Sequence, residues 1–320
     1  MPAAYFLLTK PAFRDYLWGG RKLATVLGKS LPSDGVWAES WEIVDHAEHQ
    51  SVIQNGDLAG MSLRGVSQAN PKWLFGDSKI KQLPLLLKYL DCRSVLSVQV
   101  HPADNYALRM TPPDLGKTEA WYIVDAEPGA VLYAGLKPGV TRQQLYEAIA
   151  AGSVENCLHR LEPKRGDCVF IPAGTVHALG AGLLVAEIQQ ASNTTFRLFD
   201  WNRVDAHGKP RALHIDQSLE VIDFEGGPRP LQTPTATQQP GRERLVSCEQ
   251  FFFDRLTGES ELAGDGRLHL LTAPYGGAEL ACGAERLPMA IGQSVIVPAA
   301  MRTVQATVQK SGILLDMYVP

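Results

Sequence analysis

The sequence predicts a mainly β protein made of two β units, with helices inserted in or beside the first unit. Three observations lead to this prediction. Short apolar runs recur along the chain, 29 glycines and 21 prolines separate them, and one strand-like segment is repeated near the C-terminus. Many short strands joined by turns are typical of β-sandwiches and barrels.

The predicted strands are short apolar runs bounded by turn residues. In chain order, the clearest are SVLSVQV, AVLYAGL, DCVFIP, LLVAEIQ and SVIVPA. Each run is too short for a typical helix, and several are rich in β-branched residues, which favour strands.

Helical patterns interrupt the strands in three places. The first spans residues 58–76 and continues into LPLLLKYLD (83–91), and the second spans 141–161, where Thr141 is the expected N-cap. The third is HIDQSLEVIDF, residues 214–224. We interpret these helices as additions to a β framework.

An internal repeat indicates two similar units, because GQSVIVPAAMRT (292–303) matches GDCVFIPAGTVH (166–177) position by position. A chance likeness of two strand–turn segments is the alternative. Between the two copies, a segment rich in Pro, Thr and Gln is typical of an exposed linker. We therefore predict a first domain over 1–225, a linker over 226–243 and a smaller β domain over 244–320.

Charge and cysteine content narrow the possible partners and the location. The formal net charge is −4 and the basic residues are scattered, so we expect no nucleic acid and no membrane as partner, and a small molecule instead. The five cysteines are far apart and contain no C-x-x-C pair, which argues against a disulfide framework. The N-terminus lacks a signal-peptide pattern, so a cytoplasmic protein is expected. The sequence leaves the oligomeric state open.

Four polar residues on the predicted strands form a candidate metal site. Gln99 and His101 are two residues apart and leave the same face of a strand, and Glu119 leads another apolar run. His177 follows a Pro-Ala-Gly turn and stands at the start of a further strand. Two imidazole nitrogens and two oxygens suit a borderline divalent metal, and zinc fits this ligand set best. A lone strand histidine is more often structural, so the prediction depends on the combination.

These segments resemble a known family. The turn IPAGTVHALG is similar to the second motif of the cupin superfamily of small jelly-roll barrels. Together with SVQVHP, GKTEAWY and RLFDWNR, in this order, it resembles the type I phosphomannose isomerases. The resemblance begins at PAFRDYLWGGRKL, continues through WAESWEI and KPRALHIDQSLEVIDF, and weakens beyond the predicted linker.

The resemblance implies two cupin-type jelly-roll units, of which the first is the catalytic domain. The second is a degenerate cupin-like domain without metal ligands, since Thr303 stands at the position of His177. The implied activity is a zinc-dependent aldose–ketose isomerisation of mannose 6-phosphate and fructose 6-phosphate through a cis-enediolate, with one Zn²⁺ per chain. The implied ligands are Gln99, His101, Glu119 and His177, and the family's active-site arginine falls on Arg197.

Further candidates for the chemistry lie near these motifs. Glu187 is a candidate acid/base group, ten residues before Arg197, and we expect a hairpin to bring their two strands side by side. The alternative for this pair is a cross-strand surface ion pair. Lys117 is a candidate for substrate contact or proton transfer, against an exposed strand-edge lysine. Trp18 is a candidate to line the substrate pocket, against a buried structural tryptophan.

Other functions remain open at this level. A cupin isomerase of another sugar phosphate, such as glucose 6-phosphate, is the nearest alternative. A metal-dependent oxygenase is disfavoured by the glutamine ligand and the two histidines. A non-catalytic metal- or sugar-binding cupin is the third. The sequence does not choose the phosphate-binding residues among Arg203, Lys209, Arg211 and other basic residues, for which an ordinary solvated loop is the alternative.

Overall fold

The structure, a computed structural model, describes residues 3–204 and 207–320. Four antiparallel sheets of six, five, seven and four strands form its framework. The prediction of a mainly β fold is confirmed.

The strands of the first part of the chain are β1 (Leu7–Leu8), β2 (Ala12–Arg14), β3 (Glu39–Ile43), β4 (Leu85–Cys92), β5 (Val98–Val100), β6 (Glu119–Ala126), β7 (Leu132–Leu136), β8 (Leu158–Leu161), β9 (Cys168–Ile171), β10 (His177–Leu179), β11 (Leu183–Gln190) and β12 (Phe196–Phe199). The later strands are β13 (Thr235–Ala236), β14 (Arg242–Ser247), β15 (Phe252–Leu256), β16 (Glu259–Ala263), β17 (His269–Tyr275), β18 (Ala278–Cys282), β19 (Glu285–Met289), β20 (Ser294–Val297), β21 (Val304–Val308) and β22 (Ile313–Tyr318). The α-helices are α1 (Lys22–Thr25), α2 (Leu63–Ala69), α3 (Pro71–Phe75), α4 (Asp104–Ala107), α5 (Arg142–Ala151) and α6 (Ile215–Val221), and 3₁₀ turns span Gly56–Leu58 and Val154–Cys157.

Two jelly rolls arise from pairs of sheets. The six-stranded sheet, in the order β2-β3-β4-β11-β6-β9, packs against the five-stranded sheet, in the order β12-β5-β10-β7-β8. The seven-stranded sheet, β1-β20-β17-β22-β15-β14-β13, packs against the four-stranded sheet, β16-β21-β18-β19. The outer faces of the six- and seven-stranded sheets share a third core, which includes Tyr89, Tyr122, Leu270 and Leu315. The six-stranded sheet is therefore buried on both faces.

This double burial explains one wrong prediction. LPLLLKYLD forms strand β4 and not a helix, and each of the eight residues of β4 is buried. β4 lies between β3 and β11 in the sheet. A continuous apolar run is what a strand covered on both faces requires, and periodicity does not separate such a run from a buried helix.

The remaining helical predictions are largely confirmed. Residues 58–76 contain α2 and α3, and α6 lies within 214–224. Thr141 caps α5 in a capping box with Gln144, as predicted. The helix ends at Gly152, whose φ of 68° is the left-handed conformation that stops helices, so the predicted helical segment is too long at its C-terminal end. Its last residues form β8.

The internal repeat corresponds to the same structure in both jelly rolls. In the first, β9 lies in the six-stranded sheet and the chain crosses through the turn to β10 in the five-stranded sheet. In the second, β20 lies in the seven-stranded sheet and the chain crosses to β21 in the four-stranded sheet. His177 opens β10, whereas Thr303 has a φ of 59° and precedes β21.

The predicted division at 226–243 stays a prediction. The segment contains β13 and the start of β14, and Pro228 and Leu231 form bridges to Gly135 and Val169 of the first jelly roll. At the N-terminus, β1 pairs with β20 of the second jelly roll. The five cysteines are free, and no helix among the described residues is long and apolar enough to span a membrane.

Candidate metal centre and active-site cleft

The first jelly roll brings the four predicted metal ligands together between its two sheets. His177 pairs directly with Gln99 of β5, and His101 follows β5 by one residue. Glu119 opens β6 on the opposite sheet, with its Oε2 3.5 Å from His101 Nε2 and its Oε1 3.3 Å from His177 Nε2. The candidate ligand atoms of His101, Glu119 and His177 lie within 4.8 Å of one another.

The turn before His177 holds this arrangement. Gly174 has a φ of 86°, which favours glycine, and its amide donates to the carbonyl of His101 at 2.8 Å. A Cβ at Gly174 would lie 3.1 Å from the Val221 carbonyl oxygen. The turn therefore needs glycine for its conformation and for close packing, and it ties the two histidine segments together.

Both histidines turn the same nitrogen to the centre. His101 Nδ1 donates to the Thr194 carbonyl at 3.0 Å, and His177 Nδ1 donates to the Thr175 carbonyl at 2.9 Å. These bonds assign the proton to Nδ1 and leave the Nε2 lone pair of each ring facing Glu119. This is the ring orientation that metal-binding histidines adopt when a second hydrogen bond fixes them.

The electrostatics of the cluster fit a cation. Both oxygens of Glu119 and the Nε2 of His101 are buried without a hydrogen-bond partner. Burial lowers the pKa of His101 well below its usual range and that of His177 to about 4, so both rings are neutral. Burial, with the charge of Glu187, raises the pKa of Glu119 to about 8. A buried carboxylate facing two lone pairs is costly alone, and a divalent cation would satisfy all three groups.

Gln99, on β5 two residues before His101, is the fourth predicted ligand. Its side-chain amide lies 3.2 Å from His177 Nε2. Amide oxygen and nitrogen are interchangeable by rotation of the side chain, and with its oxygen toward the centre Gln99 would present a fourth ligand atom.

A cleft of about 330 Å³ opens beside this cluster and contains the other predicted site residues. Lys117, two residues before β6, lines it with its Nζ 3.6 Å from Glu119 Oε2. Lys117 is buried, so the exposed-lysine alternative is wrong. Trp18 lines the cleft half-buried and stacks on Tyr16 with ring centroids 5.8 Å apart, and its contact with substrate stays a prediction.

Glu187 and Arg197 both line the cleft, although the predicted hairpin is wrong. Glu187 lies on β11 of the six-stranded sheet, whereas Arg197 lies on β12 of the five-stranded sheet, opposite Gln99. The two side chains reach the cleft from facing sheets. The surface ion pair is also wrong, because Glu187 is only 3% exposed and its carboxylate lies against Lys88 and Trp121. Arg197 donates from one terminal nitrogen to the Ala212 carbonyl, and its Nε is buried without a partner.

Sequence reasoning missed Lys88, which lies at the centre of the buried charges. Its Nζ is 3.1 Å from Glu187 Oε1 and 3.9 Å from Glu39 Oε1. The Trp41 indole donates to Glu39 at 2.6 Å, and the Trp121 indole donates to Glu187 at 3.1 Å. Despite burial, the charges of Glu187 and Glu39 raise the pKa of Lys88 and keep it protonated. The sequence feature that could have identified Lys88 is its place as the single lysine inside the apolar run LPLLLKYLD.

A basic residue, Arg211, lines the cleft next to a second one, Arg203. Arg211 lines the cleft, and Arg211 and Arg203 both contact the carboxylate of Asp200. Of Arg203, Lys209 and Arg211, Arg211 is the one that lines this cleft. Asp200 holds its guanidinium from behind through two hydrogen bonds of 2.6 and 2.8 Å.

Comparison with known proteins agrees with this architecture. Residues 6–122 match the family model of the type I phosphomannose isomerase catalytic domain. The mannose-6-phosphate isomerase ManA of Bacillus subtilis is 36% identical over 295 residues, covering 91% of this chain and 92% of ManA. The mannose-6-phosphate isomerase of Streptococcus mutans is 35% identical over 293 residues, covering 90% and 91%.

Solved structures show the same fold. The mannose 6-phosphate isomerase of Bacillus subtilis superposes with a TM-score of 0.89 at 30% identity, over 98% of this chain and 99% of that one. A mannose 6-phosphate isomerase bound with zinc and yttrium shares the fold, with a TM-score of 0.79 at 17% identity, over 99% and 100%. The sheets and the buried His-Glu-His cluster thus define a double jelly-roll protein of the cupin type. The chain belongs to the type I mannose-6-phosphate isomerase family.

Proposed function

We propose that this protein interconverts mannose 6-phosphate and fructose 6-phosphate, with one zinc ion held by Gln99, His101, Glu119 and His177. The observation that carries the proposal is the buried His-Glu-His cluster, which lacks donors for Glu119 and opens onto a cleft lined by a carboxylate and an arginine. The sequence relatives named mannose-6-phosphate isomerases support the choice of substrate.

The metal suits the proposed reaction. Bound zinc would polarise or position the sugar oxygens O1 and O2, and its neutral histidine ligands need no deprotonation at pH 7. Zinc binding to a protein of the same fold supports this choice of ion.

Aldose–ketose isomerisation moves a proton between C2 and C1, so a base must take the proton and return it. We assign this role to Glu187. Lys88 and the Trp121 indole hold its carboxylate in place, and all three side chains line the cleft. Lys117 is the second candidate for proton transfer, because its ammonium lies between the cleft and Glu119.

The cis-enediolate that forms on the sugar carries negative charge, which needs a fixed positive partner. Arg197 supplies it, because its guanidinium faces the cleft from the sheet opposite Glu187 and its Nε has no competing partner. We assign contact with the phosphate to Arg211 and contact with the sugar face to Trp18, both of which line the same cleft. The five free cysteines suit a reducing compartment, and we expect the enzyme in the cytoplasm.

The test is isomerisation by the purified protein, measured as prepared, after chelation and after zinc is restored, with glucose 6-phosphate run alongside. The proposal predicts turnover of mannose 6-phosphate that chelation abolishes and zinc restores. Faster turnover of glucose 6-phosphate would assign the other substrate. Tight sugar-phosphate binding without turnover by the zinc-loaded protein would indicate a non-catalytic cupin.

A further inference from the structure

The loop between β11 and β12, residues 191–195, connects the cleft to the histidine cluster. Asn193 and Thr195 line the cleft on this side. The carbonyl of Thr194, between them, accepts the hydrogen bond from His101 Nδ1 at 3.0 Å. The position of one loop carbonyl therefore decides where His101 Nε2 points.

Two carboxylates from distant segments bind this loop: Glu48 accepts one hydrogen bond, from the Asn193 side chain at 2.6 Å, and Asp114 accepts three. Asp114 Oδ2 accepts from the Ser192 hydroxyl at 2.8 Å, from the Thr194 hydroxyl at 2.7 Å and from the backbone N–H of Asn193 at 3.3 Å. Asp114 Oδ1 lies 3.5 Å from His46 Nε2. Three donors from three consecutive loop residues thus converge on one oxygen, which fixes the loop backbone up to Thr194, the residue that carries the carbonyl.

The charge of Asp114 suits this role. Burial would raise its pKa, but hydrogen bonds from His46, Thr194 and Ser192 outweigh burial and hold the pKa well below its usual range. The carboxylate is ionised throughout the neutral range, and hydrogen bonds to an ionised acceptor are stronger than those between neutral groups.

We infer that Asp114 is a positioning residue for the metal centre. It fixes the Thr194 carbonyl, the carbonyl orients the ring of His101, and the ring presents Nε2 to the metal. The inference rests on the proposed function, specifically on His101 as a metal ligand. Groups hydrogen-bonded directly to a metal-bound histidine typically change metal affinity about 10- to 100-fold when removed, and Asp114 acts one contact further out, through the Thr194 carbonyl.

Two variants test the inference without touching a proposed ligand. Asp114→Asn keeps the size of the side chain but replaces one acceptor oxygen with a donor, and Thr194→Val removes only the hydroxyl, leaving the carbonyl in place. Asp125→Asn is the matched control, because Asp125 pairs with Lys22 at 2.8 Å at the far end of β6 from Glu119. The measurement is zinc affinity by competition with a chromogenic chelator, together with the free energy of unfolding of each metal-free protein.

The expected result is a zinc affinity about 10-fold weaker in Asp114→Asn, at the lower end of that range, weakened less in Thr194→Val and unchanged in Asp125→Asn. The double variant should bind zinc no more weakly than Asp114→Asn alone, because both changes break the same contact. A merely structural Asp114 predicts lower stability with wild-type zinc affinity, and that outcome would overturn the inference. If Asp114→Asn does not fold, wild-type zinc affinity in a folded Thr194→Val protein would overturn it equally.

Zinc affinity is measured without sugar, so a failure of the proposed reaction can be told apart from a failure of the role inferred for Asp114. A wild-type protein that binds zinc tightly but isomerises no sugar phosphate would remove the proposed reaction, while the comparison of variants would still decide the role of Asp114. A wild-type protein that binds no zinc would overturn both.

Discussion

Replacing Glu119 by glutamine should stabilise the metal-free protein while it removes a metal ligand. Burial raises the pKa of Glu119 from 4.5 to about 8 in the metal-free fold, so the native state keeps a proton that the unfolded chain releases at pH 7. Above the pKa of Glu119 in the unfolded chain, the raised native pKa therefore lowers the free energy of unfolding by about 1.4 kcal/mol per pH unit. Over the interval from 4.5 to 7 this lowering amounts to about 3 kcal/mol.

The glutamine side chain of the Glu119→Gln protein would carry no titratable proton, and its amide can donate to the lone pair of a neighbouring histidine. In urea unfolding followed by tryptophan fluorescence, metal-free Glu119→Gln should therefore exceed wild type by about 3 kcal/mol at pH 7. At pH 5, near the unfolded pKa, the difference should fall below about 1 kcal/mol. Titration of His101 and His177 affects both proteins and cancels in the comparison.

Glu127→Gln is the control, because Glu127 lies at the surface beside Lys22 and should change stability by no more than about 0.5 kcal/mol. With zinc added, the order should reverse, since only wild type keeps the full ligand set and gains binding free energy. A metal-free Glu119→Gln protein less stable than wild type would refute the reasoning. So would a difference that is the same at pH 5 and pH 7.

Three further predictions concern separate parts of the molecule. In metal analysis and steady-state kinetics, His177→Ala should lose zinc and turnover together. Arg197→Ala should keep one zinc per chain and lose about 100-fold or more in kcat. Full activity in Arg197→Ala would remove that residue from the mechanism. Burial lowers the pKa of His269, but Asp316 and Asp265 raise it to about 9. Protonated His269 should therefore add about 3 kcal/mol to the free energy of unfolding, fully present below pH 6.5 and lost as the pH rises through 9. Unfolding at pH 6 and pH 10 should show this loss in wild type, and an equal loss in His269→Gln would contradict it. Thr141→Ala should cost about 1 kcal/mol in thermal unfolding by removing the cap of α5, and an unchanged midpoint would count against that cap.

Local sequence patterns were sufficient to predict which residues meet at the candidate metal centre. Pro172 and Gly174 predict a turn whose geometry sets His177 at the start of a strand, and the spacing of two between Gln99 and His101 puts both on one face. These predictions depend only on backbone conformation within a few residues, and the structure has the same local conformations.

The partners of Glu187 and Lys88 could be identified only from the three-dimensional structure. Neighbouring segments of this chain go to different sheets, so the loop after Glu187 crosses the jelly roll and does not close a hairpin. Lys88 was hidden because an apolar run covered on both faces has no periodicity to distinguish strand from helix. The contacts of Asp114 with the loop at 192–194 join residues about eighty positions apart, and no local pattern marks them.

The central claim is that the His-Glu-His cluster holds the metal on which the reaction depends. The most direct measurement is a titration of zinc into the metal-free protein, with bound zinc and the rate of mannose 6-phosphate isomerisation recorded at each addition. Our account predicts that the rate rises in proportion to bound zinc and stops rising at one zinc per chain, and that His177→Ala stays inactive throughout. Full turnover by the metal-free protein, or a rate that does not follow bound zinc, would contradict it.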